Sequence, residues 1–237
     1  MDQKQYLCID QKSFYATVEC VARGLDPMTT DLVVADPDRS ENTICLAVST
    51  HLKKRGVKNR CRIKDIPPYI EHIVAPPRMQ LYIDCSAEIY GVFLKHLAPE
   101  DIYVYSIDES FLDVTPYLKT YGMNAKELAQ TIMQDVRDTV GTIRIWSISI
   151  NPHLTVIELG IAAKYTEDFI GMACEKRYRA TMWEHEPITD LWQIVGCIAA
   201  KLTKSLGAHV DKNMVKFSQK RKRSLRYQTP RGLSWQS

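Results

Sequence analysis

The apolar residues near the start of the chain change from an unbroken run to a helical spacing. Residues 5–10, QYLCID, form a short run that predicts a buried β-strand, and Asp10 closes it. Ser13 then stands at the N-cap position of a predicted helix, and Gly24 and Pro27 mark its end. One face of that helix carries Phe14, Val18, Val21 and Leu25.

Apolar runs further along the chain are short and are separated by turn residues. Two runs within residues 31–49 are split by the turn-rich segment DPDRSEN. Residues 80–83, QLYI, are interpreted as a strand, with Ser86 capping a helix that continues to about Leu97. Residues 101–115 predict two further strands, rich in β-branched and aromatic residues, with an acidic pair between them.

A second helix with a clear start follows this strand pair. Asn124 and Glu127 form the pattern of a capping box, and residues 142–150 predict a strand after the helix. The order is therefore strand, helix, long insertion, strand, strand, helix, strand, which is the split βαβ order of ferredoxin-like sheets. The predicted fold class is α+β, and the function has to be argued from the site because this fold hosts many functions. Apolar residues repeat every four positions along the second helix, at Leu128, Ile132, Val136 and Val140.

Three acidic residues fall at the ends of predicted strands. Asp10 closes the first strand, and Asp108 and Glu109 lie at the junction of the two central strands, so the carboxylates are expected to meet at one end of the sheet. Clustered carboxylates repel one another unless cations neutralise them. Hard oxygen ligands suit magnesium, and two such ions ~3.5–4 Å apart stabilise an in-line phosphoryl transfer. The alternative interpretation is a helix cap at Asp10 and a solvated turn at the acidic pair.

Basic residues are concentrated in two segments, although the net charge of the chain is only +3. Residues 53–64, KKRGVKNRCRIK, contain seven Lys and Arg residues and no acid. Such a block suits a polyanion, either nucleic acid or a nucleoside triphosphate. A second cluster at residues 219–226 is interpreted as part of a disordered, solvated tail.

Cysteine usage and hydropathy bear on the compartment. Seven single cysteines without a CxxC pair favour free thiols in a reducing cytoplasm over a zinc site or a disulfide framework. The apolar runs are short and interrupted by charge, and the first ten residues lack the pattern of a secretory signal. The expected protein is therefore cytoplasmic, without a membrane span.

Two segments resemble the sequence motifs of Y-family DNA polymerases. IDQKSFYATVEC, residues 9–20, is similar to the first motif, and YSIDESFLDV, residues 105–114, is similar to the second. The sequence between them resembles the UmuC-like branch, the error-prone polymerases of the DNA-damage response. The resemblance is strong over residues 5–140 and weaker over about 141–207. It implies a template-directed translesion polymerase of DNA repair that uses primer–template DNA, deoxynucleoside triphosphates and two Mg²⁺ ions.

The resemblance also implies a division into domains. Residues 1–27 and 80–165 would form a ferredoxin-like palm, and residues 28–79 an inserted fingers subdomain. Residues 166–210 would form a small, partial helical thumb with a degraded helix-hairpin-helix. The family's C-terminal little finger has no counterpart in residues 211–237, which makes contact with a sliding clamp doubtful.

The motifs assign roles to individual residues by position. Gln11 stands where a backbone carbonyl completes the shell of one metal. Tyr15 matches an aromatic steric gate that excludes a ribose 2′-OH, and Phe14 before it lies at the nucleotide site but is also interpreted as a core residue. Lys53 aligns with a basic residue that contacts the incoming triphosphate. The acids at the metal positions are Asp10, Asp108 and Glu109.

The chain departs from the family pattern after the last predicted palm strand. Asn151 is in place, but Val156 occupies the position of a Lys that reaches the triphosphate. Two other functions therefore stay open: a catalytically weak or inactive DNA-binding remnant, and a two-metal nucleotide cyclase. The FY pair after Asp10 and the basic insertion favour the polymerase over the cyclase.

Overall fold

The computed structural model describes residues 4–36, 38–141, 146–149, 163, 166–168, 170–174, 176 and 180. The chain divides into two compact units, residues 1–173 and 174–237, and the elements described below belong to the first. Val156, most of the predicted thumb and the basic tail lie outside the described residues. Within the described ranges, no helix has the length and apolar character needed to span a membrane.

Strands and helices are numbered in chain order. The strands are β1 (Tyr6–Asp10), β2 (Leu32–Val34), β3 (Ala47–Val48), β4 (Ile73–Ala75), β5 (Ile102–Val104), β6 (Glu109–Asp113), β7 (Trp146–Ser149) and β8 (Ile170–Ala173). The helices are α1 (Phe14–Val21), α2 (Thr50–Lys54), α3 (Met79–His96), α4 (Thr115–Tyr121) and α5 (Ala125–Val140). Short 3₁₀ turns lie at Ile63–Asp65 and Pro99–Asp101.

The large sheet contains five strands in the order β5-β6-β1-β7-β8. The pairs β5–β6, β6–β1 and β1–β7 are antiparallel, and the edge strand β8 runs parallel to β7. This arrangement is the split βαβ order with one added strand, which confirms the predicted α+β fold class. Residues 170–173 therefore join the large sheet, beyond the palm boundary that the sequence predicted at residue 165.

The main hydrophobic core lies between the large sheet and the helices α1, α3 and α5. Side chains alternate across a strand, so Leu7 and Ile9 of β1 enter this core together with Leu112 of β6. Helix α5 presents the stripe that the sequence predicts, with Leu128, Ile132 and Val136 buried. Its capping box is also confirmed, because the Asn124 side chain accepts from the backbone of Lys126 and Glu127 while Glu127 Oε2 accepts from the backbone N–H of Asn124.

A small sheet of three strands, β3-β2-β4, is built from the insertion between α1 and α3. It has a separate core, formed by Val33, Ala35, Cys45, Val48, Leu52, Val57, Ile66 and Ile70. Helix α2 follows β3 directly, and the Ser49 side chain caps it by accepting from the N–H of Leu52 at 3.3 Å. The basic block therefore begins on α2.

Several local features differ from their predictions. Residues 80–83 are the first turn of α3 and not a strand, and Ser86 lies inside that helix, where its hydroxyl donates to the carbonyl of Ile107 at 2.7 Å. Ser13 stands at the predicted N-cap position of α1, but it adopts a left-handed conformation, φ 54°, and its side chain makes no capping hydrogen bond. Helix α1 also ends at Val21, which is 38% exposed, so the predicted apolar face is shorter than its spacing suggests.

Candidate active site

The pairing of β1 with β6 sets the positions of the candidate acids. Asp10 is the register partner of Glu109 at the end of this antiparallel pair. Beyond the last pair, the N–H of Gln11 donates to the carbonyl of Asp108 at 2.9 Å. Backbone hydrogen bonds thus bring all three acidic residues to the same end of the large sheet, the end that the sequence predicts.

Two of these carboxylates lie near one buried thiol. Cys8 is fully buried on β1, and its Sγ lies 3.9 Å from Oε1 of Glu109. Burial raises the pKa of Cys8 well above its usual value, and the negative charges of Glu109 and Asp10 raise it further. The charges of Glu109 and Asp10 therefore both act on the Cys8 thiol.

Asp108 occupies the turn between β5 and β6. Its Oδ1 accepts from the hydroxyl of Ser106 at 2.7 Å, and the backbone N–H groups of Tyr105 and Ser106 both donate to the carbonyl of Glu109. In the described part of the chain, no three His, Cys, Asp or Glu side chains are gathered closely enough to form a metal-binding group. The donor chemistry of the three acids nevertheless fits magnesium, because all their ligand atoms are hard carboxylate oxygens.

Tyr15 lies in the first turn of α1, close to this acidic end of the sheet. Its side chain is half-buried, and its ring stacks on that of Tyr82 from α3 with centroids 4.5 Å apart and an interplanar angle of 18°. Partial burial raises the pKa of Tyr15, and the charge of Asp108 adds to that rise. Phe14 is only 3% exposed and belongs to the main core, as its alternative interpretation predicts.

The backbone of Gln11 is hydrogen-bonded to Asp108, and its side chain is buried. The residue is 5% exposed, and its Oε1 atom has no hydrogen-bond partner within the described structure. Its side chain lines a cleft of about 260 Å³ between α3 and the large sheet, together with Ser86, Tyr90 and Ile107. The predicted metal contact through the Gln11 carbonyl stays a prediction.

Lys53 connects the small sheet to the candidate site. Its Nζ donates to the hydroxyl of Ser13 at 2.9 Å, and Ser13 lies in the turn between β1 and α1. The rest of the basic block is mostly solvent-exposed: Lys54, Arg55, Lys58, Arg60, Arg62 and Lys64. One amine of the block therefore reaches the acidic end of the large sheet, and the others form a positive surface.

A buried charged network behind Tyr15 was missed in the sequence. Glu19 of α1 is fully buried and contacts Arg23, Arg78 and Tyr82. A glutamate within an otherwise apolar helix face is a signal that such partners exist, but the spacing does not identify them. Arg78 and Tyr82 lie 59 and 63 residues further along the chain.

The fold and the acidic strand ends define a class, α+β proteins with a split βαβ sheet that carries carboxylates at one end. A family model described as the impB/mucB/samB family matches residues 9–157, and the chain belongs to that family. The match covers both motifs that resemble those of Y-family polymerases and confirms that resemblance.

Curated relatives carry names from DNA repair and DNA synthesis. The chain is 30% identical over 216 residues to the UV-damage repair protein UvrX of Bacillus subtilis, covering 91% of this chain and 50% of UvrX. It is 37% identical over 107 residues to the DNA repair protein homolog YozK of the same organism, covering 45% of this chain and 93% of YozK. It is 29% identical over 184 residues to DNA polymerase IV 2 of that organism, covering 77% of this chain and 44% of that polymerase. The chain thus spans about half the length of UvrX and of DNA polymerase IV 2.

Solved structures share the fold. DinB from Sulfolobus solfataricus matches with a TM-score of 0.69 at 22% identity, covering 95% of this chain and 68% of that protein. A ternary complex of Dbh matches with a TM-score of 0.66 at 24% identity, covering 85% of this chain and 57% of Dbh. These likenesses support the fold assignment.

Proposed function

We propose that this chain is a template-directed DNA polymerase of the error-prone translesion type that acts in DNA repair. The observation that carries the proposal is the register of Asp10 against Glu109, with Asp108 tied to the same end by the N–H of Gln11. Membership of the impB/mucB/samB family and the names of the relatives support the same function.

The three acids would hold two Mg²⁺ ions, and the carbonyl of Gln11 would complete the shell of one. When bound there, magnesium would stabilise the attacking and leaving oxygens of phosphoryl transfer. Tyr15 would lie against the sugar of the incoming nucleotide and exclude a 2′-OH by contact. Lys53 would leave the hydroxyl of Ser13 to contact the triphosphate, because an ammonium group favours a highly charged phosphate over a neutral hydroxyl.

The proposed substrates are primer–template DNA and deoxynucleoside triphosphates. The exposed basic block of the small sheet would neutralise DNA phosphates, which supply most of the sequence-independent affinity of such proteins. In domain terms, the large sheet would be the palm and the small sheet the fingers. A cytoplasmic location fits this proposal.

A single-nucleotide insertion assay tests the function. With Mg²⁺ and a primed template, we expect insertion of the complementary deoxynucleotide. Insertion that ignores the template base, or a cyclic nucleotide formed without DNA, would contradict the proposal, and the second result would identify a cyclase.

A salt titration of DNA binding in the same buffer separates a weak polymerase from a DNA-binding remnant. If the exposed basic block neutralises DNA phosphates, the affinity should fall by about 0.9 log units per phosphate contact for each log unit of salt. Binding of this kind without any insertion would indicate the remnant, whereas tight, salt-insensitive binding would contradict both.

A further inference from the structure

We propose that Glu19, Arg78 and Tyr82 are positioning residues that set sugar selection by holding the ring of Tyr15 in place. The inference rests on the role of Tyr15 under the proposed function and extends it to residues outside both sequence motifs, Arg78 and Tyr82. None of the three is placed in contact with the nucleotide, so their effect would pass through Tyr15 alone.

Glu19 is the centre of this network. Its side chain is fully buried, and both of its oxygens accept hydrogen bonds. Oε1 accepts from Nε of Arg78 at 3.0 Å and from the hydroxyl of Tyr82 at 2.7 Å, and Oε2 accepts from Nη2 of Arg78 at 2.7 Å and from Arg23. Two parallel bonds from one guanidinium fix the carboxylate plane as well as its position.

Tyr82 is fixed at its hydroxyl and along its ring. The hydroxyl donates to Glu19 and accepts from the backbone N–H of Arg78 at 3.1 Å, while the fully buried ring stacks on Tyr15. The two hydrogen bonds fix the position of the phenolic oxygen, while burial and stacking restrain rotation of the ring about its Cβ–Cγ axis. The ring is therefore a fixed support, and the charged network determines where that support lies.

Tyr15 needs such a support because only part of its side chain is buried. A steric gate works by contact with an atom that is absent from the correct substrate, so small displacements of the ring change selection more than they change binding of the correct substrate. Loss of the support should therefore act mainly on the ribonucleotide, lowering its KM and raising its kcat, and leave deoxynucleotide insertion nearly unchanged.

Single-nucleotide insertion with matched variants tests the inference. The ratio of kcat/KM for a deoxynucleotide to that for its ribonucleotide should fall about threefold to tenfold in Tyr82→Leu, as expected for loss of one aromatic stack. It should fall about twofold to threefold in Tyr82→Phe and in Glu19→Gln, which weaken the hydrogen bonds but keep the ring. An unchanged ratio in all three variants would overturn the inference.

Tyr117→Phe is the matched control. The hydroxyl of Tyr117 also donates to a carboxylate, Asp101 at 2.6 Å, and accepts from a backbone N–H, that of Ala98 at 2.7 Å. It lies on α4, and its ring stacks on that of Tyr121 in the same helix. A ratio that falls equally in Tyr117→Phe would mean that general loosening of the fold lowers selection, which also overturns the inference.

Two further measurements separate this inference from the proposed function. If Tyr15→Ala lowers the ratio but Tyr82→Leu does not, Tyr15 is the gate and the network does not position it. Fluorine NMR of 3-fluorotyrosine at position 15 needs no activity: Tyr82→Phe keeps the stacking ring, so a shifted or broadened resonance supports the inference. A resonance identical to that of the unsubstituted protein would overturn it, whether or not the chain extends a primer.

Discussion

The large and small sheets place their functional side chains by different means. In the large sheet, Asp10 and Glu109 are opposed by strand register, and backbone hydrogen bonds hold the turn that carries Asp108. Next to the small sheet, Lys53 stands on a helix of five residues, and its amine donates a side-chain hydrogen bond to Ser13. The acidic residues are thus placed by backbone pairing, whereas the cation is placed by side-chain contacts that a ligand can replace.

This difference suits the two proposed roles. Carboxylates that hold metal ions must be close together before the substrate arrives, and sheet pairing keeps their backbones there. A cation that contacts a triphosphate must exchange one partner for another. One charged hydrogen bond contributes about 1.5–3 kcal/mol, which a triphosphate can match. The small sheet adds a second anchor, since Asp31 contacts both His51 and Arg55 on either side of Lys53.

The largest effect should come from the large sheet. Asp10→Asn keeps the shape of the side chain but removes a proposed metal ligand, so primer extension should fall at least about 1000-fold. Asp113→Asn is the matched control, because Asp113 lies on β6 at the opposite end of the same strand pair. Equal losses in the two variants, measured by insertion kinetics at saturating Mg²⁺, would contradict a catalytic site at the Asp10 end.

The next effect is on the free energy of unfolding, and it tests how much the buried network between α1 and α3 contributes to stability. Glu19→Ala removes a fully buried carboxylate and leaves Arg78 and the hydroxyl of Tyr82 without their acceptor, so the free energy of unfolding should fall by about 3 kcal/mol. Glu88→Ala, an exposed glutamate on α3, should change it by less than about 0.5 kcal/mol. Urea unfolding measures both, and similar midpoints for the two variants would contradict the importance of the buried network.

The sequence predicts those parts of the molecule that depend on local pattern. The apolar run at residues 5–10 and the β-branched and aromatic residues around the acidic pair predict β1, β6 and the acids at their ends, and the Asn124–Glu127 pair predicts the start of α5. The start of α3 was mispredicted because QLYI has strand-like residues, while the structure buries Tyr82 and makes this segment the first helical turn. Local preference is overridden here by tertiary contacts.

The remaining features depend on long-range partners. Glu19 meets Arg78 and Tyr82 only when α1 and α3 pack, and no spacing rule connects residues so far apart. The left-handed conformation of Ser13 likewise follows from its place between β1 and α1, where its hydroxyl accepts from Lys53. These contacts cannot be predicted from one sequence, although the isolated buried glutamate marks where to look.

Lys53→Ala tests the proposed contact between the Lys53 amine and the incoming triphosphate. Loss of one phosphate contact should raise the KM for the incoming nucleotide about tenfold, with a smaller change in kcat. Lys54→Ala removes an exposed neighbouring lysine and should leave the KM nearly unchanged. Thermal unfolding of the three proteins measures how far loss of the hydrogen bond to Ser13 also lowers stability. A rise in KM of the same size for both variants would mean that the block acts by net charge and not through Lys53.

The smallest effect lies at the rim of the large sheet, where an exposed ion pair joins α5 to the segment before β8. Nζ of Lys126 lies 2.6 Å from Oδ2 of Asp168, and the two side chains are 41% and 36% exposed. The hydrogen bond from Lys126 lowers the pKa of Asp168, and the N–H of Ile170 lowers it further against the opposing effect of partial burial. Because solvent and salt screen such a pair, it should contribute less than about 1 kcal/mol.

The lowered pKa gives the sign of the pH dependence. The folded protein holds Asp168 ionised more strongly than the unfolded chain does, so the stabilisation is complete above the unfolded pKa of about 3.9 and is lost as the pH falls through the folded value. Lys126→Ala should therefore lower the melting temperature slightly at pH 7, less at high salt, and progressively less as the pH falls below about 3.9. Lys119→Ala, at an exposed lysine of α4, provides the baseline. A larger deficit for Lys126→Ala at low pH than at neutral pH would mean that packing of its side chain, and not its charge, joins α5 to this edge of the sheet.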